Sequence, residues 1–359
     1  MLAYSETLKT FYSHINLNII EEKIVDKLGM NVGESERRSF RMSLPAIANA
    51  LRNANIPDDV QVALEYKIPL TNRRIDFMIA GADEFGKDHI VICELKQWDE
   101  VRHTDMNDIV MVKGQEHVHP SWQAYTYGST ISNFNEYVEK NNVEINTCTF
   151  LHNYKREYID ELCHEVYIDG LTKAQPFISD QYLELSKFVS KYIKCKSKKD
   201  LLFEVENGKI KPSKMLADSL ASMLNGNKEY ELLNEQRIVY SNLLNAIKKN
   251  QNENKKQVFI VRGGAGTGKS LICIQLLADL IKTKGLKTFY VTKSGYVRDN
   301  YFSKLTKDVP QYSFLKTLFK GSSSFIDSIN NEFDVLIVDE AHRLTEKQSN
   351  LGSIKGKTK

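Results

Sequence analysis

Residues 263–270 read Gly-Gly-Ala-Gly-Thr-Gly-Lys-Ser and follow an apolar run of Val258, Phe259, Ile260 and Val261. Gly263, Gly268, Lys269 and Ser270 stand at the fixed positions of G-x-x-x-x-G-K-[ST], the phosphate-binding loop. Gly263, Gly264, Gly266 and Gly268, with Ala265 and Thr267 between them, let successive backbone N–H groups turn inward onto phosphate oxygens. The pattern predicts a strand ahead of the loop and a helix after it, whose N-terminal dipole favours the same anions. Lys269 is then placed to reach β- and γ-phosphates, and the Ser270 hydroxyl to ligate Mg²⁺. Downstream, residues 333–338 read as a buried parallel strand ending in Asp339-Glu340-Ala341-His342. Carboxylates at that end of a strand lie where α/β sheets bind ligands. Asp339 is expected to share the Mg²⁺ and Glu340 to polarise an attacking water. This half of the chain predicts a nucleoside triphosphate site.

A second set of reactive residues lies nearer the N-terminus. Residues 60–66, 74–79 and 89–96 read as strands, the last two joined through a stretch holding Gly81 and Gly86. Alternation puts Glu94 and Lys96 on one face, and a symmetric hairpin sets Asp76 opposite Glu94. Like charges directly across strands are destabilising. Two readings fit that spacing equally: a solvated hairpin face, or carboxylates sharing a hard cation, Mg²⁺ or Mn²⁺. In the second, Lys96 would orient water or stabilise charge on a phosphoryl group. Gln123 and Tyr127 share a helix face four residues apart, which alone carries nothing. Glu36 opens a helix predicted over residues 35–53, where its ordinary role is to offset the helix dipole.

The elements that must hold these groups follow from patterning. The chain has 359 residues, 42% hydrophobic and 26% charged, with a net charge of +3, enough for two globular domains. That charge permits nucleic acid without indicating it. Five scattered cysteines lack metal-ligand spacing, which predicts free thiols in a reducing compartment, the cytoplasm. No signal peptide or bilayer-spanning run is visible, so no membrane partner is expected. Residues 1–35 read as helical, 99–122 as polar with no strong periodicity, 144–152 as a strand and 180–230 as lysine-rich helix. Gln236 lies at the start of another helical pattern, and a strand over 287–291 precedes Thr292-Lys293-Ser294.

With Gln236 in place, residues 230–345 resemble the Schlafen group 3-like DNA/RNA helicase domain of bacteria, a superfamily 1-type P-loop ATPase. The resemblance makes 263–270 Walker A, Asp339-Glu340-Ala341-His342 Walker B, Gln236 the adenine-reading glutamine and Thr292 the start of motif Ia. Asp76, Glu94-Leu95-Lys96 and Gln123-x-x-x-Tyr127 resemble the RecB-like order of the PD-(D/E)XK nucleases. That likeness implies Asp76 and Glu94 as metal ligands, Lys96 as catalytic lysine, Gln123 and Tyr127 as supporting residues, and Glu36 as the preceding helix carboxylate. The implied architecture is α/β: a nuclease domain over 1–175, a helical connector over 176–229, a partial RecA-like domain with a parallel sheet over 230–345, and a disordered tail over 346–359. The order is similar to phage-defence nuclease–helicases, implying Mg²⁺ or Mn²⁺, ATP and nucleic acid, DNA ahead of RNA. Motifs beyond Walker B are not found, so the likeness implies a truncated helicase-type domain that does not unwind alone. A separate polypeptide with the second RecA-like domain is then an expected partner. The alternative is a non-catalytic fragment that binds nucleic acid and ATP, or half of a split helicase.

Overall fold

A computed structural model describes residues 2–17, 19–28, 33–68, 73–209, 231–253, 256–282, 286–292, 315–325, 328–329 and 331–344. The chain is mixed α/β and divides into two units, Met1–Pro212 and Ser213–Lys359.

The first unit is built on six strands: β1 (Tyr4–Thr7), β2 (Gln61–Lys67), β3 (Arg74–Ala82), β4 (Asp88–Lys96), β8 (Glu144–Leu151) and β9 (Gln175–Ile178). They lie in the order β1-β2-β3-β4-β8-β9. The first four are antiparallel, while β8 and β9 continue in parallel. The β3–β4 turn is closed by Asp83, whose Oδ1 accepts from the Phe85 and Lys87 amides at 2.9 and 2.8 Å. Parallel neighbours need a crossover, and α4 (Pro120–Phe134) supplies it, packing on β8 and β4. Its approach depends on Gly128, where a Cβ would lie 2.5 Å from Thr147 Cγ2 and 3.2 Å from Ile145 Cγ2. On the opposite face α1 (Leu8–Asn16), α2 (Ile20–Leu28) and α3 (Glu34–Arg52) pack over the core of Phe11, Ile24, Ile47, Val62, Phe77, Val91 and Phe150.

Three expectations are corrected here. Residues 99–122 contain a second sheet, β5 (Arg102–His103), β6 (Ile109–Val112) and β7 (Gln115–Val118). Lys113 and Gly114 take φ of 49° and 81° in its turn, the left-handed pair that two-residue hairpins require. Within 1–35, helix forms as expected at α1 and α2, but residues 4–7 form the edge strand β1. Residues 176–209, expected in a connector, belong to the first unit. There β9 completes the sheet, and the helices Tyr182–Tyr192 and Leu201–Asn207 bury Leu185, Val189, Leu201, Leu202 and Val205. The apolar stripe on those helices has a sheet to cover, so they fold with it. Residues 210–230 and the expected tail, 346–359, lie outside the described residues.

The second unit has a three-stranded parallel sheet, β11-β10-β12, from β10 (Thr288–Val291), β11 (Phe319–Lys320) and β12 (Val335–Val338). The helices Asn234–Glu253 and Lys269–Lys282 pack with it around Ile274, Leu277, Tyr290, Phe319 and Ile337. The strand expected ahead of the glycine loop is not formed. Residues 256–264 have no regular structure, and Val258 and Ile260 are 88% and 75% exposed. Strand geometry persists only where a neighbour takes its N–H and C=O groups, and among the described residues none pairs with this run. β12 is parallel as expected but is buried only at Ile337; Leu336 and Val338 are exposed.

Candidate active site and phosphate-binding loop

In the first unit the polar residues form one row across the sheet. β2–β3 registers Leu64 with Phe77, and β3–β4 registers Phe77 with Cys93. One step further brings Glu65, Asp76 and Glu94 side by side, with Thr149 paired to Glu94 on β8. The backbone ladder gives way at this row. Glu65 takes φ 54°, and Asp76 Oδ2 accepts the Leu95 amide at 2.8 Å in place of a main-chain bond. The hairpin reading of Asp76 opposite Glu94 matches this register.

The row is desolvated on one side and charged on the other. The Glu94 side chain is 2% exposed, and Lys96 Nζ donates to its Oε1 at 2.7 Å. Gln123 Nε2, from α4, donates to the same oxygen and also to the Tyr127 hydroxyl, 3.1 Å away. Glu94 Oε2 and Thr149 Oγ1 are buried without a hydrogen-bond partner. Asp76 keeps part of its surface open, but its carboxyl is enclosed. Burial first, and Glu94 second, push its pKa well above the ordinary 3.8. Burial acts to lower the Lys96 pKa; Glu94 and then Asp76 outweigh it, so the ammonium stays charged. Burial, then Glu94, likewise raises Tyr127 and keeps its phenol protonated.

Asp76, Glu94, Lys96, Gln123 and Tyr127 therefore converge. Glu36 belongs to α3, but its side chain is outside those described. On the same helix Ser39 and Ser43 reach the end of β4, where Gln97 Nε2 donates to Ser39 O at 3.1 Å and to Ser43 Oγ at 3.4 Å, and Ser43 also hydrogen-bonds His152, just past β8, at 2.9 Å. Among the described residues no three His, Cys, Asp or Glu are grouped to hold a metal; the carboxylates that face each other across β3 and β4 are Asp76 and Glu94. Glu65 escaped the sequence reading. Its signal was available in β2, where alternation faces it toward Asp76. Arg74 lies 3.7 Å from its carboxylate.

In the second unit the loop is formed. Gly266 and Gly268 take φ of 75° and 82°, and the helix Lys269–Lys282 starts directly after it. Lys269 Nζ donates to the Gly263 and Gly264 carbonyls at 2.8 and 2.7 Å, and Thr267 Oγ1 donates to Gly264 O at 3.0 Å. Ser270 Oγ donates to Asp339 Oδ2 at 2.9 Å, and Tyr290, missed in the sequence reading, donates to the same oxygen at 2.5 Å. Gln236 Nε2 donates to Thr267 O at 3.0 Å, and its Oε1 accepts from the Leu233 amide at 3.1 Å. Ala265 forms the exposed turn. Glu340 adopts φ 53° and lies 3.3 Å from His342 Nδ1. Thr292 is buried, and Lys293 and Ser294 lie outside the described residues.

A family model, Schlafen group 3, DNA/RNA helicase domain, matches residues 256–359. The match supports a helicase-type, nucleic-acid- and ATP-related function for that part of the chain. It includes residues 346–359 and leaves Gln236 outside. No curated protein and no solved structure matches the chain. Among the described residues no helix is long and apolar enough to cross a membrane.

Proposed function

We propose that the first unit is a divalent-metal-dependent phosphodiesterase acting on nucleic acid, DNA ahead of RNA, and that the second binds ATP through residues 263–270. A cytoplasmic role in DNA processing or phage defence is part of this reading. The observation that carries it is the buried Glu94, one oxygen unpartnered, directly across from an Asp76 whose charge is disfavoured. A buried carboxylate oxygen without a partner is costly, and a hard cation between the two groups would satisfy both. The donor set fits Mg²⁺ or Mn²⁺, which take one or two carboxylates and fill remaining positions with water and phosphate oxygens. Asp76 and Glu94 would hold the ion. When bound, it supplies activation of water and neutralisation of phosphoryl charge.

The protein groups divide the rest of the work. Lys96, kept charged by the two carboxylates, is placed to stabilise charge on a phosphate. Gln123 fixes Glu94 through the oxygen that Lys96 also uses, and Tyr127 anchors Gln123. In the second unit Lys269 would exchange the Gly263 and Gly264 carbonyls for phosphate oxygens. Ser270 and Asp339 would hold Mg²⁺, Glu340 would polarise water and Gln236 would read the adenine.

The test is cleavage of supercoiled plasmid and of a linear single strand with Mg²⁺ or Mn²⁺, with and without ATP. Metal-dependent cutting should disappear in Lys96→Ala while the variant remains folded by circular dichroism. Cutting that survives in that variant refutes the assignment, and Lys269→Ala alongside tells whether nucleotide binding licenses the cut.

A further inference from the structure

Beyond Lys96 the same edge of the first unit carries an aromatic pair. The Lys96 ammonium stands 5.5 Å from the centre of the Trp98 ring, and His117 of β7 lies 5.3 Å from that ring at an interplanar angle of 55°. Both residues are partly exposed. Trp98 borders the small core of Val101, Val110, Val112 and Tyr154. Burial first, and Lys96 second, lower the His117 pKa, so the imidazole stays neutral. With Lys96 over the Trp98 ring and His117 tilted against it, the part of the ring left exposed offers a base a surface to stack on, and the ammonium offers its phosphate a charge to meet.

We propose that Trp98, flanked by His117, stacks on the base next to the phosphate held at Lys96, so that the substrate class is single-stranded nucleic acid or unpaired ends. This rests on the phosphodiesterase reading. A duplex hides its base faces within its own stack, whereas a single strand presents them, and base–aromatic stacking tolerates any sequence.

The chain has two tryptophans, Trp98 and Trp122, both in the first unit. Trp122 is buried and donates to the Asn107 carbonyl at 2.9 Å, so a change in tryptophan emission on binding reports Trp98. The experiment titrates the full chain with an unlabelled single-stranded oligonucleotide in Ca²⁺, and with the matching blunt duplex, checking the substrate on a gel. Single strand should quench wild type, duplex should quench far less, and Trp98→Phe should lose the response. Trp98→Ala should raise KM for single strand roughly 5- to 100-fold, and Trp98→Phe, which keeps a smaller ring in place, should raise it by less. Unchanged wild-type emission at saturating single strand, equal quenching by duplex, or an unaltered KM in Trp98→Ala overturns the proposal. Quenching without cleavage in Mg²⁺ or Mn²⁺ leaves the stacking site standing and removes the phosphodiesterase; cleavage without quenching does the reverse.

Discussion

Acid should loosen the helix that carries Gln123 and Tyr127, and the responsible group is His119. It is completely buried. Its Nε2 bonds the Leu162 carbonyl at 2.9 Å, and its Nδ1 accepts the Ser121 amide at 3.1 Å, capping α4. Both bonds are satisfied only by the neutral ring with its proton on Nε2. Burial lowers its pKa from 6.5 to about 4, against a weaker upward pull from the Leu162 carbonyl. Between those values the unfolded chain binds a proton that the folded chain refuses. Stability from this group is therefore complete above pH 6.5, is lost as pH falls toward 4, and changes no further below. At about 1.4 kcal/mol per pH unit the loss is about 3 kcal/mol. His119→Asn keeps a capping acceptor and does not titrate. Urea unfolding followed by tryptophan emission, in half-unit steps from pH 7.5 to 4, reads the first unit. The wild-type curve should fall about 3 kcal/mol further than the variant's across that window. Parallel curves would refute the assignment of the neutral, capping imidazole.

Asp76→Asn retains an acceptor for the Leu95 amide while removing charge. The Asp76 pKa is raised in the fold, so its contribution is full below 3.8 and lost as pH rises; in EDTA at pH 7.5 the variant should melt no lower than wild type. Mn²⁺ at 100 times its Kd should stabilise wild type by about 2.7 kcal/mol and the variant not at all, by scanning fluorimetry. Gly128→Val, forced against Thr147, should cost about 1–3 kcal/mol in urea unfolding. Lys269→Ala should bind a fluorescent ATP analogue at least about tenfold more weakly, the worth of a charged hydrogen bond, without altering the melting of the first unit.

The central hairpin was legible because residues 74–79 and 89–96 are apolar runs rich in strand formers around a glycine-containing turn, and the two-residue period of a strand fixes which side chains share a face. The glycine loop and the Ser270–Asp339 contact were legible for a different reason: fixed spacing around phosphate chemistry leaves few residue choices. β1 and β5 were not, since strands of four and two residues are too short to show a period, and their pairing comes from partners far along the chain. Residues 258–261 misled in the other direction. Their composition suits a buried strand, but burial depends on neighbours that composition does not reveal. The boundary expected at 175 failed because β9 and the helix Tyr182–Tyr192 are polar enough to read as linker while burying Phe177, Leu185 and Val189.

The mixed sheet also sets an order of assembly. Asp76, Glu94 and Lys96 lie within one hairpin, whose closure involves a short stretch of chain. Gln123 and Tyr127 belong to the crossover that links β4 to β8, where the register pairs His89 with Glu144. Closing the longer loop costs more entropy and is rewarded only when the far strand docks. Loop-closure entropy thus favours pairing the two carboxylates before the glutamine that steadies one of them docks. The divalent ion proposed above, arriving before Gln123 docks, would draw the two strands into register. On the proposed metal-dependent reading, the ion would serve first as a folding aid and later as a cofactor of the reaction.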